Sequence, residues 1–212
     1  MGILASLLNF LGCSEQVNSN KNSTEKPVND TLKDDLAKMF HKFNNRPIYK
    51  KLTTEIIDST PDDELIQTIF DNIIEKFSSD YSKQYKTVLT LSKPKQAIYM
   101  IWLLEAEVNN GGFNQYYFNP SKQYAEFTPD ALQLIGAIKW VDLMKRANHI
   151  FESENKKIKN HQDGTLEGFS KSYEDNPLND LDTEFYDLYK IEDLHKLQVD
   201  FIRKNKQDFV DE

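Results

Sequence analysis

The sequence contains a single cysteine, Cys13, so it lacks the residues that build disulfide or zinc frameworks. One cysteine excludes an intramolecular disulfide and a cysteine-based zinc site, and makes the cytoplasm the default location. The four histidines are scattered, and only His149 and Glu152 have a spacing that resembles a pair of metal ligands. Two ligands on one helix are too few for a zinc or di-iron site, so we predict no metal and no cofactor.

Sequence motifs of common active sites are also missing. There is no Gly-Xaa-Ser-Xaa-Gly element and no phosphate-binding loop of glycines and lysine. Glu105 and Glu107 are two residues apart on a predicted helix, so they point to different faces and cannot form an acid/base pair by themselves. We therefore expect a protein that is not an enzyme.

The start of the chain has no charge of either sign and no apolar run long enough to span a bilayer. Residues 1–13 are apolar, and residues 14–29 are rich in Ser, Asn, Lys and Glu, which predicts a flexible or loosely docked tail over residues 1–30. A secretory signal normally begins with Lys or Arg, whereas the first base here is Lys21. We expect the apolar run to form a short docking helix.

Two alternatives for this apolar run involve a lipid anchor. The segment from Phe10 to Ser14 resembles a bacterial lipoprotein cleavage box, which makes Cys13 a candidate lipidation site and a tethered envelope lipoprotein an alternative identity. Gly2 together with Ser6 also fits the short pattern for myristoylation. Contact with a membrane is expected only if Cys13 is lipidated.

Apolar residues recur at helical spacing along almost all of the chain beyond the tail, and no stretch alternates long enough to indicate a sheet. This pattern predicts an all-α fold, a compact multi-helix bundle in one domain over residues 31–212. Start signals are Thr60 with Pro61, Ser92 with Pro94, and Thr128 with Pro129. In the helix that starts at Thr128, the positions predicted to be buried are Leu132, Leu134, Ile135, Ile138, Val141 and Leu143. A last helical stretch is predicted over about residues 183–210.

The net charge of -8 arises in one segment. Residues 1–160 carry 20 acidic and 20 basic side chains, whereas residues 161–200 carry 11 acidic and 3 basic ones, a difference of -8. A one-sided block of this kind repels nucleic acid and attracts basic surfaces, so we expect no direct binding of nucleic acid. An ordinary solvated acidic surface is the alternative interpretation.

The most distinctive stretch spans residues 109–119, Asn-Asn-Gly-Gly-Phe-Asn-Gln-Tyr-Tyr-Phe-Asn. Two adjacent glycines allow a tight reversal after a helix, and the aromatic residues beyond them can fold back to plug the end of a bundle. Amides among aromatic residues indicate either a satisfied polar network or a small-ligand cleft. The candidate residues of such a cleft are Glu105, Asn109, Gly111, Gly112, Phe113, Gln115, Tyr116 and Phe118.

This stretch resembles the signature of a bacterial family named after DNA-mimic proteins, formerly a domain of unknown function. The pattern is Asn-Asn-Gly-Gly-Phe-Xaa-Gln-Tyr-Xaa-Phe, preceded by the helix at 102–108 and followed by similar segments at 131–137 and 181–186. The resemblance covers about residues 65–205.

The resemblance implies an all-α, often dimeric domain whose carboxylates stand in for DNA phosphates and occupy a basic protein such as a DNA-binding transcription factor. Such mimicry is physically reasonable because DNA-binding proteins gain much of their affinity from phosphate contacts. The alternative is a small-ligand binder or uncharacterised enzyme at the glycine turn. Under the DNA-mimic hypothesis the partner-binding carboxylates are those of Glu174, Asp175, Asp180, Asp182, Glu184, Asp187, Glu192 and Asp193.

Overall fold

The structure is a computed structural model that describes residues 30–78, 80–154, 165–174 and 176–211. Contacts between residues divide the chain into two compact units, Met1–Pro47 and Ile48–Glu212. The predicted tail before Asp30, including Cys13, lies outside the described residues. The single domain over residues 31–212 stays a prediction.

In the first unit, helix α1 spans Asp30–Asn44. Its C-terminal end is closed by side chains that bind its last carbonyl groups, as the free carbonyls of a helix end require. Asn45 donates to the His41 carbonyl at 2.8 Å, and Arg46 donates to the Phe43 carbonyl at 2.6 Å. The Arg46 guanidinium also lies 3.8 Å from the centre of the Phe43 ring, a cation–π contact.

In the second unit the described residues form nine α-helices and two 3-10 helices. They contain no strand, which confirms the predicted all-α fold for this part of the chain. The α-helices are α2 (Thr54–Ser59), α3 (Asp62–Glu75), α4 (Tyr81–Thr90), α5 (Lys93–Phe118), α6 (Thr128–Leu134), α7 (Ile138–Ser153), α8 (Leu166–Lys171), α9 (Asn179–Leu188) and α10 (Leu194–Lys204). The 3-10 helices are Pro120–Tyr124 and Lys206–Asp208.

Helix α5 is the central element of the second unit. It packs against α3, α6, α9 and the first 3-10 helix, while α7 packs against α6 and α9. Ser92 caps its N-terminus as predicted, because the hydroxyl accepts from the Lys95 N–H, and Pro94 lies in the first turn. The ring of Trp102 stacks on Phe70 of α3 with the ring centres 3.6 Å apart. Phe70 is buried, whereas Trp102 is partly buried and packs against the core from its edge.

The prediction that Thr60 caps the start of the helix near Pro61, which is α3, is wrong. Thr60 instead closes the end of α2. Its hydroxyl donates to the Ile56 carbonyl at 2.7 Å, and its N–H donates to the same carbonyl at 3.0 Å. Helix α3 begins at Asp62 after Pro61, with three acidic residues in its first turn. Helix α2 has only six residues, too few for the apolar periodicity to reveal it.

The helix predicted from Thr128 through Leu143 is broken at Gly136. That residue has a φ of +83°, and the Ala137 N–H donates to the Leu132 carbonyl at 2.9 Å, which ends α6. This is the usual glycine stop of a helix, and α7 begins two residues later. Leu134 and Ile138, predicted to be buried, flank the break and are 45% and 52% exposed.

The last predicted stretch, 183–210, is also divided. Helix α9 ends at Leu188, and α10 begins at Leu194 with Asp193 as its N-cap. The Asp193 carboxylate accepts from the Lys196 N–H at 2.9 Å. The apolar spacing continues across this break, so only the capping carboxylate marks it in the sequence.

Replacing Gly136 tests the break between α6 and α7. Nothing lies within 4 Å of a Cβ atom built on Gly136, so a substitution there is costly through its positive φ alone. We expect Gly136→Ala to lower the free energy of unfolding by about 1 kcal/mol in chemical denaturation. Gly136→Asn should lose less, because asparagine tolerates this backbone region better. Equal losses for Ala and Asn would contradict the explanation.

Candidate functional site

The distinctive stretch forms a break inside α5 at its two glycines. Gly111 and Gly112 have non-helical backbone angles, and Gly112 has a φ of +69°. A Cβ atom on Gly112 would lie 2.2 Å from Oδ2 of Asp182 on α9, which is closer than atoms can approach. Only glycine therefore fits at residue 112, and the absence of a side chain allows α9 to approach the break.

Asp182 occupies the space that Gly112 leaves open. Its Oδ1 accepts from the Phe113 N–H at 2.7 Å, across 69 residues of sequence. Burial raises the pKa of the Asp182 carboxyl above its ordinary value of 3.8, and the hydrogen bond from Phe113 opposes part of that rise. Asp182 therefore fastens α9 to the break in α5.

On the other side of the break, Glu107 is ringed by neutral donors. Its carboxylate accepts from Gln115 Nε2 at 2.7 Å, Asn119 Nδ2 at 2.8 Å and the Ser121 hydroxyl at 2.8 Å. Gln115 Oε1 in turn accepts from Asn110 Nδ2 at 2.9 Å. The amide residues of the motif thus close a reversal of the chain around one half-buried carboxylate.

A second polar network joins the motif to the segment before α9. Asn114 Nδ2 donates to the Ser172 hydroxyl at 2.7 Å, and Asn176 Nδ2 donates to Asn114 Oδ1 at 2.9 Å. The Tyr173 hydroxyl donates to the Gly111 carbonyl at 2.6 Å. These bonds satisfy buried polar groups that would otherwise be costly.

The aromatic residues of the motif are buried in the core. Phe113, Tyr116 and Tyr117 have no exposed surface, which agrees with the expected plug at the end of the bundle. The Tyr116 hydroxyl lies 3.0 Å from Thr128 Oγ1, and the Phe113 ring meets Phe185 of α9 edge to face at 5.8 Å. Phe118 is half-buried at the end of α5.

Glu105 belongs to a separate network between α5, α9 and α10. Its Oε1 accepts from the Tyr189 hydroxyl at 2.7 Å and its Oε2 from Gln198 Nε2 at 2.9 Å. Burial raises the pKa of the Glu105 carboxyl above its ordinary value, although both donors and the nearby His195 oppose the rise. Gln198 is fully buried, and its Oε1 has no hydrogen-bond partner among the described residues.

The candidate cleft residues therefore fall into separate places. Glu105 and Gln115 bond to different partners, and Asn109 is exposed at the end of the first part of α5. The central carboxylate of the motif is that of Glu107, for which the sequence predicts only that it cannot form an acid/base pair with Glu105 by itself. Glu107 lies eight residues before Gln115, a spacing that predicts no contact along a continuous helix. The contact forms because the chain changes direction at the glycine break.

Several predicted partner-binding carboxylates have roles inside the protein. Asp182 accepts from the Phe113 N–H, and Asp193 caps α10. Glu192 caps α7 through the Lys139 N–H at 2.9 Å. Asp175 lies outside the described residues.

The remaining predicted carboxylates lie near or on the outer face of α9. Asp180, Glu184 and Asp187 follow one another at spacings of four and three residues, and therefore share a face of the helix. Glu184 forms a bidentate ion pair with Arg146 of α7, and Asp187 pairs with Lys190 at 2.9 Å. Glu174 and Asp180 are exposed, and neither has an ion-pair partner among the described residues. We call Glu174, Asp180, Glu184 and Asp187 the acidic face.

Within the described ranges, no group of three or more His, Cys, Asp or Glu residues is placed to hold a metal ion. Nor is any helix in this part of the chain long and apolar enough to cross a membrane.

Replacing Gly112 tests the contact with Asp182. We expect Gly112→Ala to lower the free energy of unfolding by several kcal/mol, because it combines a positive φ with a clash against the Asp182 carboxylate. Gly111→Ala is the matched control. Its φ of -164° suits any residue, although its new Cβ would crowd Gln115 Oε1, the Tyr173 hydroxyl and Gln115 Cβ. We therefore expect a smaller loss, which reflects crowding without a positive φ.

The cause of this loss is tested by combining Gly112→Ala with Asp182→Ala in a double-mutant cycle measured by chemical denaturation. Asp182→Ala alone should cost about 1–3 kcal/mol, because it leaves the Phe113 N–H without its acceptor. The double variant should lose less than the sum of the two single losses, since the clash is removed. Strict additivity would contradict the proposed contact.

The raised pKa of Glu105 predicts a specific dependence on pH. Because the pKa is raised in the folded state, the folded state favours the protonated carboxyl, and the resulting stability is lost as pH rises from 4.5 through the folded pKa. Glu105→Gln removes this titration. We expect the unfolding free energy of the wild type to fall relative to Glu105→Gln over that range. A constant difference across pH would show that Glu105 is ionised equally well in both states.

One comparison with known proteins found a family match that covers the glycine break. The model of the DMP19-like protein family matches residues 89–205, more than half of the 212-residue chain. The match begins later than the expected resemblance over about residues 65–205 and ends at the same residue. Curated proteins and solved structures gave no match to the chain. The matched region includes the break in α5, the Glu107 network, Asp182 and α9, and the chain belongs to the DMP19-like family.

Proposed function

We propose that this protein is a non-enzymatic interaction domain that acts as a DNA mimic and occupies a basic DNA-binding protein through its acidic face. The observation that carries the proposal is the row of Asp180, Glu184 and Asp187 on the outer side of α9, in a chain of the DMP19-like family. That family is one of DNA-mimic proteins.

The geometry of α9 suits such a role. Leu181, Phe185 and Leu188 are buried on one side, so the helix is fixed to the core with the carboxylates of Asp180, Glu184 and Asp187 on another side. Helical rise places Asp180 and Glu184 about 6 Å apart along the axis, and Asp187 about 4.5 Å further. Rigid charges spaced by a few ångströms resemble the regular charge along a DNA strand.

The electrostatics favour a basic partner in place of nucleic acid. Arg146 and Lys190 pair with two of these carboxylates but leave Asp180 and Glu174 exposed. An arginine-rich surface that approaches the acidic face competes with Lys190 for the Asp187 carboxylate. It also forms a new ion pair with the Asp180 carboxylate. Binding of this kind weakens steeply with added salt.

The alternative of a ligand site at the glycine turn has less support. The polar groups of Gln115, Asn114 and Tyr116 are engaged with other side chains of the protein, and all three residues are buried. A ligand would have to break these bonds before it could use them.

The proposal is tested by displacement from DNA. A lysate of the source organism is loaded on DNA–cellulose, and the column is eluted with the purified protein at low salt. We expect the wild type to release a basic DNA-binding protein, and Asp180→Asn/Asp187→Asn to release it at least ten times less efficiently, as expected for the loss of about 1.4 kcal/mol of binding. Released proteins are identified by mass spectrometry.

The matched control is Glu126→Gln/Asp200→Asn. It also removes one exposed carboxylate without an ion pair among the described residues and one that pairs with a lysine along its helix, Lys196. This control should displace the partner as well as the wild type does. If both double variants release the partner equally poorly, the effect depends on net charge alone and not on the acidic face. Release of nothing beyond what buffer releases would reject the mimic.

A further inference from the structure

A second charged cluster consists of basic side chains, which surround the carboxylate of Asp211. Its Oδ2 accepts from the Leu52 N–H and from Asn72 Nδ2, both at 2.9 Å. Its Oδ1 accepts from Lys95 Nζ at 2.9 Å and from Lys76 Nζ. Four donors from three separate parts of the chain thus converge on one carboxylate.

Two of the four donors, Asn72 and Lys76, also form bonds that do not involve Asp211, whereas Lys95 also donates to the carbonyl of the neighbouring Val210. Asn72 is fully buried on α3, and its side chain also donates to the Tyr49 carbonyl at 2.9 Å. Asn72 Oδ1 accepts from Lys76 Nζ at 2.9 Å, which directs that ammonium group toward the site. Lys95 lies in the first turn of α5 and is only 9% exposed. The arrangement is therefore preorganised for an anion.

The charges in this cluster do not cancel. Lys76 and Lys95 both pair with Asp211 and with no other acidic side chain among the described residues, which leaves two ammonium groups for one carboxylate. Burial alone would raise the pKa of Asp211, yet the donated hydrogen bonds hold it well below its ordinary value. Burial also lowers the pKa of Lys76, and the hydrogen bond to Asp211 opposes part of that fall.

We propose that Leu52 N–H, Asn72, Lys76 and Lys95 form an anion-binding site for a single carboxylate or phosphate group, which Asp211 occupies as an intramolecular ligand. The Asp211 N–H donates to the Leu52 carbonyl at 2.9 Å, so the occupant is presented on a backbone that pairs with residue 52. An acidic residue of an extended segment, or a free anion of similar size, fits the same donors. The site is independent of the acidic face on α9.

Asp211 is presented by an anchored segment. Phe209, two residues before it, is fully buried, so the carboxylate stays in the site of the intact protein. An external anion therefore binds only when the Asp211 carboxylate is absent, which makes chemical rescue the appropriate experiment.

The test is thermal denaturation of the full-length Asp211→Ala variant, with chloride exchanged for phosphate or acetate at constant ionic strength. The variant should melt below the wild type. Phosphate or acetate should then raise its melting temperature in a saturable way, by about 3–6 °C at roughly ten times the dissociation constant. Rescue by acetate identifies a carboxylate site, and rescue by phosphate alone identifies a phosphate site; either supports the proposal.

The matched control is Asp58→Ala, which removes a carboxylate that pairs with Lys206 in an exposed setting. Asp58→Ala and the wild type measure the general stabilising effect of phosphate on folded proteins. A rise no larger in Asp211→Ala than in these two would overturn the proposal. A rescue that persists in Asp211→Ala/Lys76→Gln would also overturn the proposal, since it would reveal an adventitious ion only. An Asp211→Ala chain that stays unfolded in every anion would overturn it as well.

Discussion

The contact between the Asp182 carboxylate and the bare backbone of Gly112 determines how the second unit is assembled. It lies at the glycine break of α5, the longest helix among the described residues, and it holds α9 against that break. The edge-to-face packing of Phe113 on Phe185 follows from this placement, because both residues neighbour the contact. So does the position of Asp180, Glu184 and Asp187 on another face of α9. A carboxylate that looks like surface charge in the sequence is thus part of the internal framework.

The same is true of other acidic residues in this chain. Glu105 and Glu107 accept hydrogen bonds from neutral side chains, and Glu192 closes the start of α7. Carboxylates used in this way replace backbone or amide acceptors and add little to the exposed charge. The net charge of -8 therefore overstates what a partner encounters, and the negative surface near α9 is narrower than the acidic block of the sequence.

The sequence predicted helix type well because apolar residues at helical spacing report burial on one face, and it located the break through its two glycines. It did not predict which carboxylates turn inward. Asp180 and Asp182 are the same residue type on the same helix, so the sequence does not distinguish their roles. Asp182 turns inward because α9 approaches Gly112, which has no side chain, whereas Asp180 stays exposed. Glu107 was missed for the related reason that its donors come from the returning chain. The divisions at Gly136 and Asp193 were missed because apolar spacing continues across both.

The long sequence separations in these contacts have a consequence for synthesis on the ribosome. Asp182 lies 69 residues after Phe113, and Gln198 lies 93 residues after Glu105. Since a chain emerges from its N-terminal end, α5 is complete well before the residues that satisfy its polar groups exist. Until α9 and α10 emerge, those groups have only water to bind. A nascent chain that ends before residue 198 therefore lacks the side chain that donates to Glu105 Oε2 in the finished protein.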